Sequence, residues 1–81
     1  MTRDEILAAL SSALQEMFEV PADKISLEAK LFEDLDLDSI DAVDLVVKLQ
    51  NLTGKKFKPE QFKTVRTVGD VVDRVHDLVS Q

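Results

Sequence analysis

Three stretches of helical periodicity, each opened by a capping signal, constrain this chain more than anything else in it. Thr2-x-x-Glu5 has the spacing of a capping box, which ties down the free backbone N–H groups at a helix start. Ile6, Leu7, Leu10, Leu14, Met17 and Phe18 then recur at helical spacing, predicting a first helix over residues 3–18. Val20-Pro21 ends it, because proline disfavours α geometry in the residue before it. Asp38-Ser39 opens a second helix that runs to Thr53, where Gly54 supplies the stop. Thr67-x-x-Asp70 opens a last helix over 67–79, with Val68, Val71, Val72, Val75, Leu78 and Val79 as its apolar face. Its five valines are poor helix formers, so tertiary packing has to hold it. Pro59 suits the first turn of a short helix over 59–64.

Residues 19–38 have weak periodicity and are long for a loop. Ile25, Leu27, Leu31, Phe32, Leu35 and Leu37 read as apolar residues that seal the core of a structured connection, with a short helical turn near 31–35. The alternation Leu35-Asp36-Leu37-Asp38 is too short for a strand and has no evident partner. The expected fold is all-α: a small four-helix bundle of three main helices and one short one, in a single domain spanning 1–81. With four Phe, no Trp and no Tyr, its core must be built from Leu, Val, Ile and Ala. The absence of Cys excludes a disulfide scaffold, a Cys-ligated metal and a thiol nucleophile, and one His excludes a multi-His metal site. A net charge of −6 argues against nucleic acid and for basic protein surfaces. No apolar run is long enough to span a bilayer and no signal-peptide pattern opens the chain, so a cytoplasmic protein is expected.

The second helix carries two apolar stripes. At about 100° per residue, Ala42, Leu45, Val46, Leu49 and Leu52 form the expected core face. Ile40, Val43 and Val47 fall together on the opposite side, edged by Asp41 and Asp44. Such a stripe is a candidate docking face unless the 19–38 connection or the short helix covers it. Charge is segregated as well. Glu33, Asp34, Asp36, Asp38, Asp41 and Asp44 stand in a segment without a base, whereas Lys48, Lys55, Lys56, Lys58, Lys63 and Arg66 share theirs with one acid, Glu60. The helix dipole favours acids at 38 and 41 but does not account for those at 33, 34 and 36.

Few residues offer chemistry. Asp34-x-Asp36-x-Asp38 resembles the start of a calcium loop, but the required Gly and Glu are replaced by Ser39 and Leu45. His76 stands among valines on the last helix with no nucleophile near it in the pattern, and reads as a surface histidine. A chain this small has little interior for a catalytic constellation, so no enzyme is expected. Ser39 by itself reads as a helix cap. Its place inside the acid-only segment, at the start of the two-striped helix, also makes it an exposed hydroxyl open to modification. A phosphodiester there would sit near the positive end of the helix dipole.

The segment Leu35-Asp36-Leu37-Asp38-Ser39-Ile40-Asp41 resembles the attachment motif of acyl carrier proteins, usually Asp-Ser-Leu preceded by a Gly two residues before the Asp. The likeness takes in the first helix, Leu31-Phe32-Glu33-Asp34-Leu35, Val43-Asp44-Leu45-Val46 and Thr67-Val68. The resemblance implies 4′-phosphopantetheine attached to Ser39 by a phosphopantetheinyl transferase, with acyl groups carried as thioesters on its thiol. It implies that the acyl chain folds back between the helices. It further implies partners of ketosynthase, ketoreductase, dehydratase or acyltransferase type, whose basic patches read Asp38, Asp41 and Asp44 while Ile40, Val43 and Val47 make apolar contact. A monomer is expected of such a shuttle.

Three departures qualify the likeness: Asp36 where Gly is common, Ile40 for Leu, and a basic or neutral run at Lys48, Gln50, Asn51, Lys55, Lys56 and Lys58. The run suggests a dedicated carrier of a specialised pathway, polyketide-like or aryl-polyene-type, rather than the central carrier of fatty-acid synthesis. An aminoacyl or peptidyl carrier is the alternative within carriers, though such proteins commonly have Gly-Gly where Asp36 and Leu37 stand. Outside carriers, the alternative is a helical interaction module in which Ser39 is only a cap.

Overall fold

The computed structural model describes residues 2–80. It contains three α-helices, α1 (Arg3–Phe18), α2 (Ser39–Thr53) and α3 (Val68–Val79), with 3-10 turns at Ala22–Lys24 and Pro59–Phe62. The fold is all-α as expected. The fourth helix of the expected bundle is a single 3-10 turn ending at Phe62, not a helix to 64. Gln61 N–H donates to the Lys58 carbonyl at its start, and just beyond it Val65 N–H donates to the Phe62 carbonyl; Phe62 and Val65 are both buried.

The capping signals act as the residue types require. Thr2 Oγ1 accepts from the Glu5 N–H at 3.2 Å, and Glu5 Oε1 accepts from the Thr2 N–H at 2.8 Å. The bond from the Thr2 N–H, above all, holds the Glu5 carboxyl below its ordinary value. Ile6, Leu10, Ala13 and Leu14 form the buried face of α1, which packs on α3 and α2. On α3, Val68, Val71, Val72 and Val75 are all buried. Valine's helix-propensity deficit is at most about 0.7 kcal/mol, and full burial of its side chain contributes about 1.5–3 kcal/mol, so packing decides the conformation.

The connection between α1 and α2 is fastened to the start of α3. Leu31 N–H donates to the Arg66 carbonyl at 2.8 Å, and Lys30 and Thr67 form an isolated antiparallel β-bridge. Val68 N–H donates to the Ala29 carbonyl, and Gly69 N–H to the Leu27 carbonyl, both at 2.9 Å. These are first-turn N–H groups of α3, which have no partner inside their own helix. Gly69 permits the approach, since a Cβ there would stand 3.0 Å from the Leu27 carbonyl oxygen. Val20, Ala29, Leu31, Leu35 and Leu37 are buried along this connection, and Ile25 packs against the core. Leu27 and Phe32 do not seal the core as expected; they are 48% and 45% exposed. Residues 30–35 do make a turn, with Asp34 and Leu35 N–H both donating to the Lys30 carbonyl.

On α2 the core face is narrower than its periodicity suggests. Leu45, Val46 and Leu49 are buried, Ala42 is half-buried, and Leu52 is 45% exposed. Leu49→Ala is therefore expected to cost about 2–5 kcal/mol, and Leu52→Ala to stay within about 0.5 kcal/mol, in urea unfolding. The α3 start makes a pH prediction. Asp70 accepts from the Arg66 N–H at 3.0 Å and the Thr67 N–H at 3.2 Å, and these bonds hold its carboxyl below the usual range. A folded-state pKa below the unfolded one stabilises the fold above the ordinary carboxylate range. That contribution is lost as pH falls through the folded value. Asp70→Asn is expected to lower stability at neutral pH and to flatten the acid limb of a stability-against-pH curve.

Candidate functional site

The segment leading into α2 alternates between buried and exposed residues. Leu35 and Leu37 are buried anchors, and Leu37 N–H donates to the Leu31 carbonyl at 3.1 Å. Between them Asp36 adopts φ 56°, in the left-handed region. Aspartate tolerates this conformation better than most non-glycine residues. The backbone thus has the geometry glycine favours, although the residue is not glycine. It turns the chain so that Asp38 arrives extended at the helix start.

Asp38, and not Ser39, is the cap. Asp41 N–H donates to Asp38 Oδ1 at 2.9 Å, and Asp38 N–H donates to Asp41 Oδ2 at 3.2 Å. This corrects the reading of Ser39 as a capping hydroxyl. Ser39 is the first residue of α2, exposed, and makes no side-chain hydrogen bond among the described residues. The Asp38-x-x-Asp41 spacing was the signal for this reciprocal pair, with Asp in the place that Glu or Gln takes in the usual capping box.

The second stripe of α2 is uncovered. Ile40 is 71% exposed, Val43 43% and Val47 48%, with Asp44 exposed beside them. Asp41 does not lie on the solvent side as expected; it is half-buried because its carboxylate turns back to the Asp38 N–H. Together with Glu19, Lys24, Asp34 and Asp36 it lines an open hollow of about 330 Å³ beside the helix start. No group of three potential metal ligands is found among the described residues. Beneath α2 lies an apolar cleft between Leu37, Leu45, Leu49, Phe62 and Val71, with a volume of about 30 Å³. The cleft is small, and no ready chamber lies there. His76 stands half-buried near the end of α3, its carbonyl accepting from the Ser80 N–H.

Comparison with known proteins places this geometry in a context. Residues 8–75 match the family model described as a phosphopantetheine attachment site. The chain is 55% identical over 80 residues, 99% of each chain, to "Acyl carrier protein 2" of Ralstonia nicotianae. It is 38% identical over 81 residues to the "Acyl carrier protein" of Saccharopolyspora erythraea, covering all of this chain and 85% of that one. Among solved structures it is similar to the acyl carrier protein of Enterococcus faecalis, with a TM-score of 0.77 and 28% identity, covering 96% of this chain and 99% of the other.

The cap assignment separates two substitutions at adjacent residues. Asp38→Ala is expected to cost about 1 kcal/mol, the usual worth of a cap, while Ser39→Ala stays within about 0.5 kcal/mol. Urea titration of both variants checks the order, and a larger loss from Ser39→Ala would return the cap to the serine.

Proposed function

The chain belongs to the acyl carrier protein family, whose members are carriers with covalent 4′-phosphopantetheine rather than catalysts, and from that premise we propose that Ser39 Oγ is the attachment atom. The observation that carries this reading is the free, exposed hydroxyl at the first position of α2, with capping left to Asp38. The residues fit the group: the helix dipole favours a phosphodiester at that position, and no side chain has to be displaced to admit it. When bound, the group supplies a thiol that holds acyl cargo as a thioester, which this Cys-free chain lacks. The chain's own part is to fix Ser39 on a rigid turn and to present the surface around it.

That surface is the docking face of the proposal. Asp38, Asp41 and Asp44 attract Arg and Lys of a transferase or a biosynthetic enzyme, and Ile40, Val43 and Val47 offer apolar contact at 43–71% exposure. Exposed ion pairs contribute about 0–1 kcal/mol each, so the complexes are brief and weaken with salt. The partners in this reading are ketosynthase-, ketoreductase-, dehydratase- or acyltransferase-type enzymes of a dedicated pathway of polyketide or aryl-polyene type. The basic and neutral second half of α2, from Lys48 to Asn51, supports a partner set distinct from that of a central fatty-acid carrier.

Intact-protein mass spectrometry before and after treatment with coenzyme A and a broad-specificity phosphopantetheinyl transferase tests the site. The folded chain is expected to gain one phosphopantetheine, localised to Ser39, and Ser39→Ala to gain none. Asp44→Lys is expected to raise the transferase KM by up to about tenfold with little change in kcat. Modification that survives Ser39→Ala would overturn the assignment.

A further inference from the structure

The acidic face around Ser39 leaves the opposite pole of the molecule without a role, and that pole is built as firmly. Phe57 and Phe62 are buried and meet edge to face at 5.8 Å. Phe57 N–H donates to Gln50 Oε1 at 3.0 Å, which ties the connection back onto α2. Lys58 N–H donates to Gln61 Oε1 at 2.8 Å. With the phenylalanines turned inward, Lys55, Lys56 and Lys58 are all exposed. None of the three has a carboxylate within ion-pair distance among the described residues, whereas Lys48 reaches Glu16 and Lys30 reaches Glu33. Leu52, 45% exposed, stands at the last turn of α2 just before the Gly54 turn.

We propose that this basic pole is a second docking surface, and that its partner is an acidic protein surface carrying an apolar anchor. Ser39 and Thr53 bound a 15-residue helix, so the two poles lie about 21 Å apart at 1.5 Å per residue. That is more than two Debye lengths at physiological salt, about 8 Å each, so each pole attracts its own partner with little interference from the other. The carrier can then be held at one pole while Ser39 is served at the other.

Charge and shape favour a protein over the other anionic occupants. A membrane presents an extended negative plane to a chain of net charge −6, and a single exposed leucine offers too little apolar surface to insert. A second copy docking its acidic pole here would cover the surroundings of Ser39 and leave open-ended chains rather than a closed dimer. A folded partner can confine its carboxylates to the area of the three lysines.

The test titrates the ¹⁵N-labelled, phosphopantetheine-loaded chain with a synthetic helical peptide of Glu and Ala bearing one central Leu. Chemical-shift changes are expected at Leu52 and residues 55–58, and they should shrink with salt. The variant Lys55→Glu/Lys56→Glu/Lys58→Glu is expected to bind about tenfold more weakly, and transferase loading of Ser39 in that variant is expected to be unchanged. A peptide with Leu replaced by Ala should bind severalfold more weakly. Changes centred on Ile40, Val43 and Val47, or equal binding of the leucine-free peptide, would overturn the proposal. Tighter association with phosphatidylglycerol vesicles, or self-association in sedimentation, would also overturn it in favour of a lipid or a second copy.

Discussion

Three backbone hydrogen bonds between the α1–α2 connection and the start of α3 are the constraint on which the rest of the structure depends. Leu31 N–H to the Arg66 carbonyl, Val68 N–H to the Ala29 carbonyl and Gly69 N–H to the Leu27 carbonyl fasten a connection that has little regular structure of its own. The last two also satisfy donors that α3 leaves open at its first turn. With residues 27–31 held, Leu35 and Leu37 reach the core, Asp36 takes its left-handed turn, and Asp38 meets the start of α2 as its cap. Each step is local, and together they determine where Ser39 stands.

The start of α2 divides labour between backbone and side chain. Asp38 and Asp41 satisfy each other's N–H groups, so the helix start is stable without help from the hydroxyl. Ser39 is left with freedom to react, and the stripe of Ile40, Val43 and Val47 with freedom to be touched. In the proposed reading a carrier uses this arrangement: a fixed position for one oxygen and an apolar surface that remains open. The interior is less accommodating. The cleft beneath α2 is only about 30 Å³, so the structure holds no ready chamber there.

Much of this was legible in the sequence because it rests on periodicity and end signals. The helix bounds, the exposed stripe of α2 and the segregation of charge all follow from residue spacing. What was not legible depends on contacts between distant segments. The bridge between Lys30 and Thr67 has no signature in a chain otherwise patterned as helix. Leu27 and Phe32 are apolar and pattern as core, but both side chains are about half exposed where the connection pairs with α3. Leu52 fits the core stripe by angle, yet it stands in the last turn of α2, just before the Gly54 stop, and remains exposed. Asp-Ser offers two capping residues in a row. The single-residue difference between them appears only in the hydrogen bonds.

The central claim is that a backbone-fastened connection, rather than α2 alone, holds Ser39 in place. Native-state amide hydrogen exchange of the unmodified chain tests it most directly. The Leu31, Val68 and Gly69 amides are expected to be protected to the same degree as the core amides of α1 and α3, exchanging only on global unfolding. Rapid exchange of these three amides, with the helices still protected, would mean that the connection opens independently and that the placement of Ser39 has another cause.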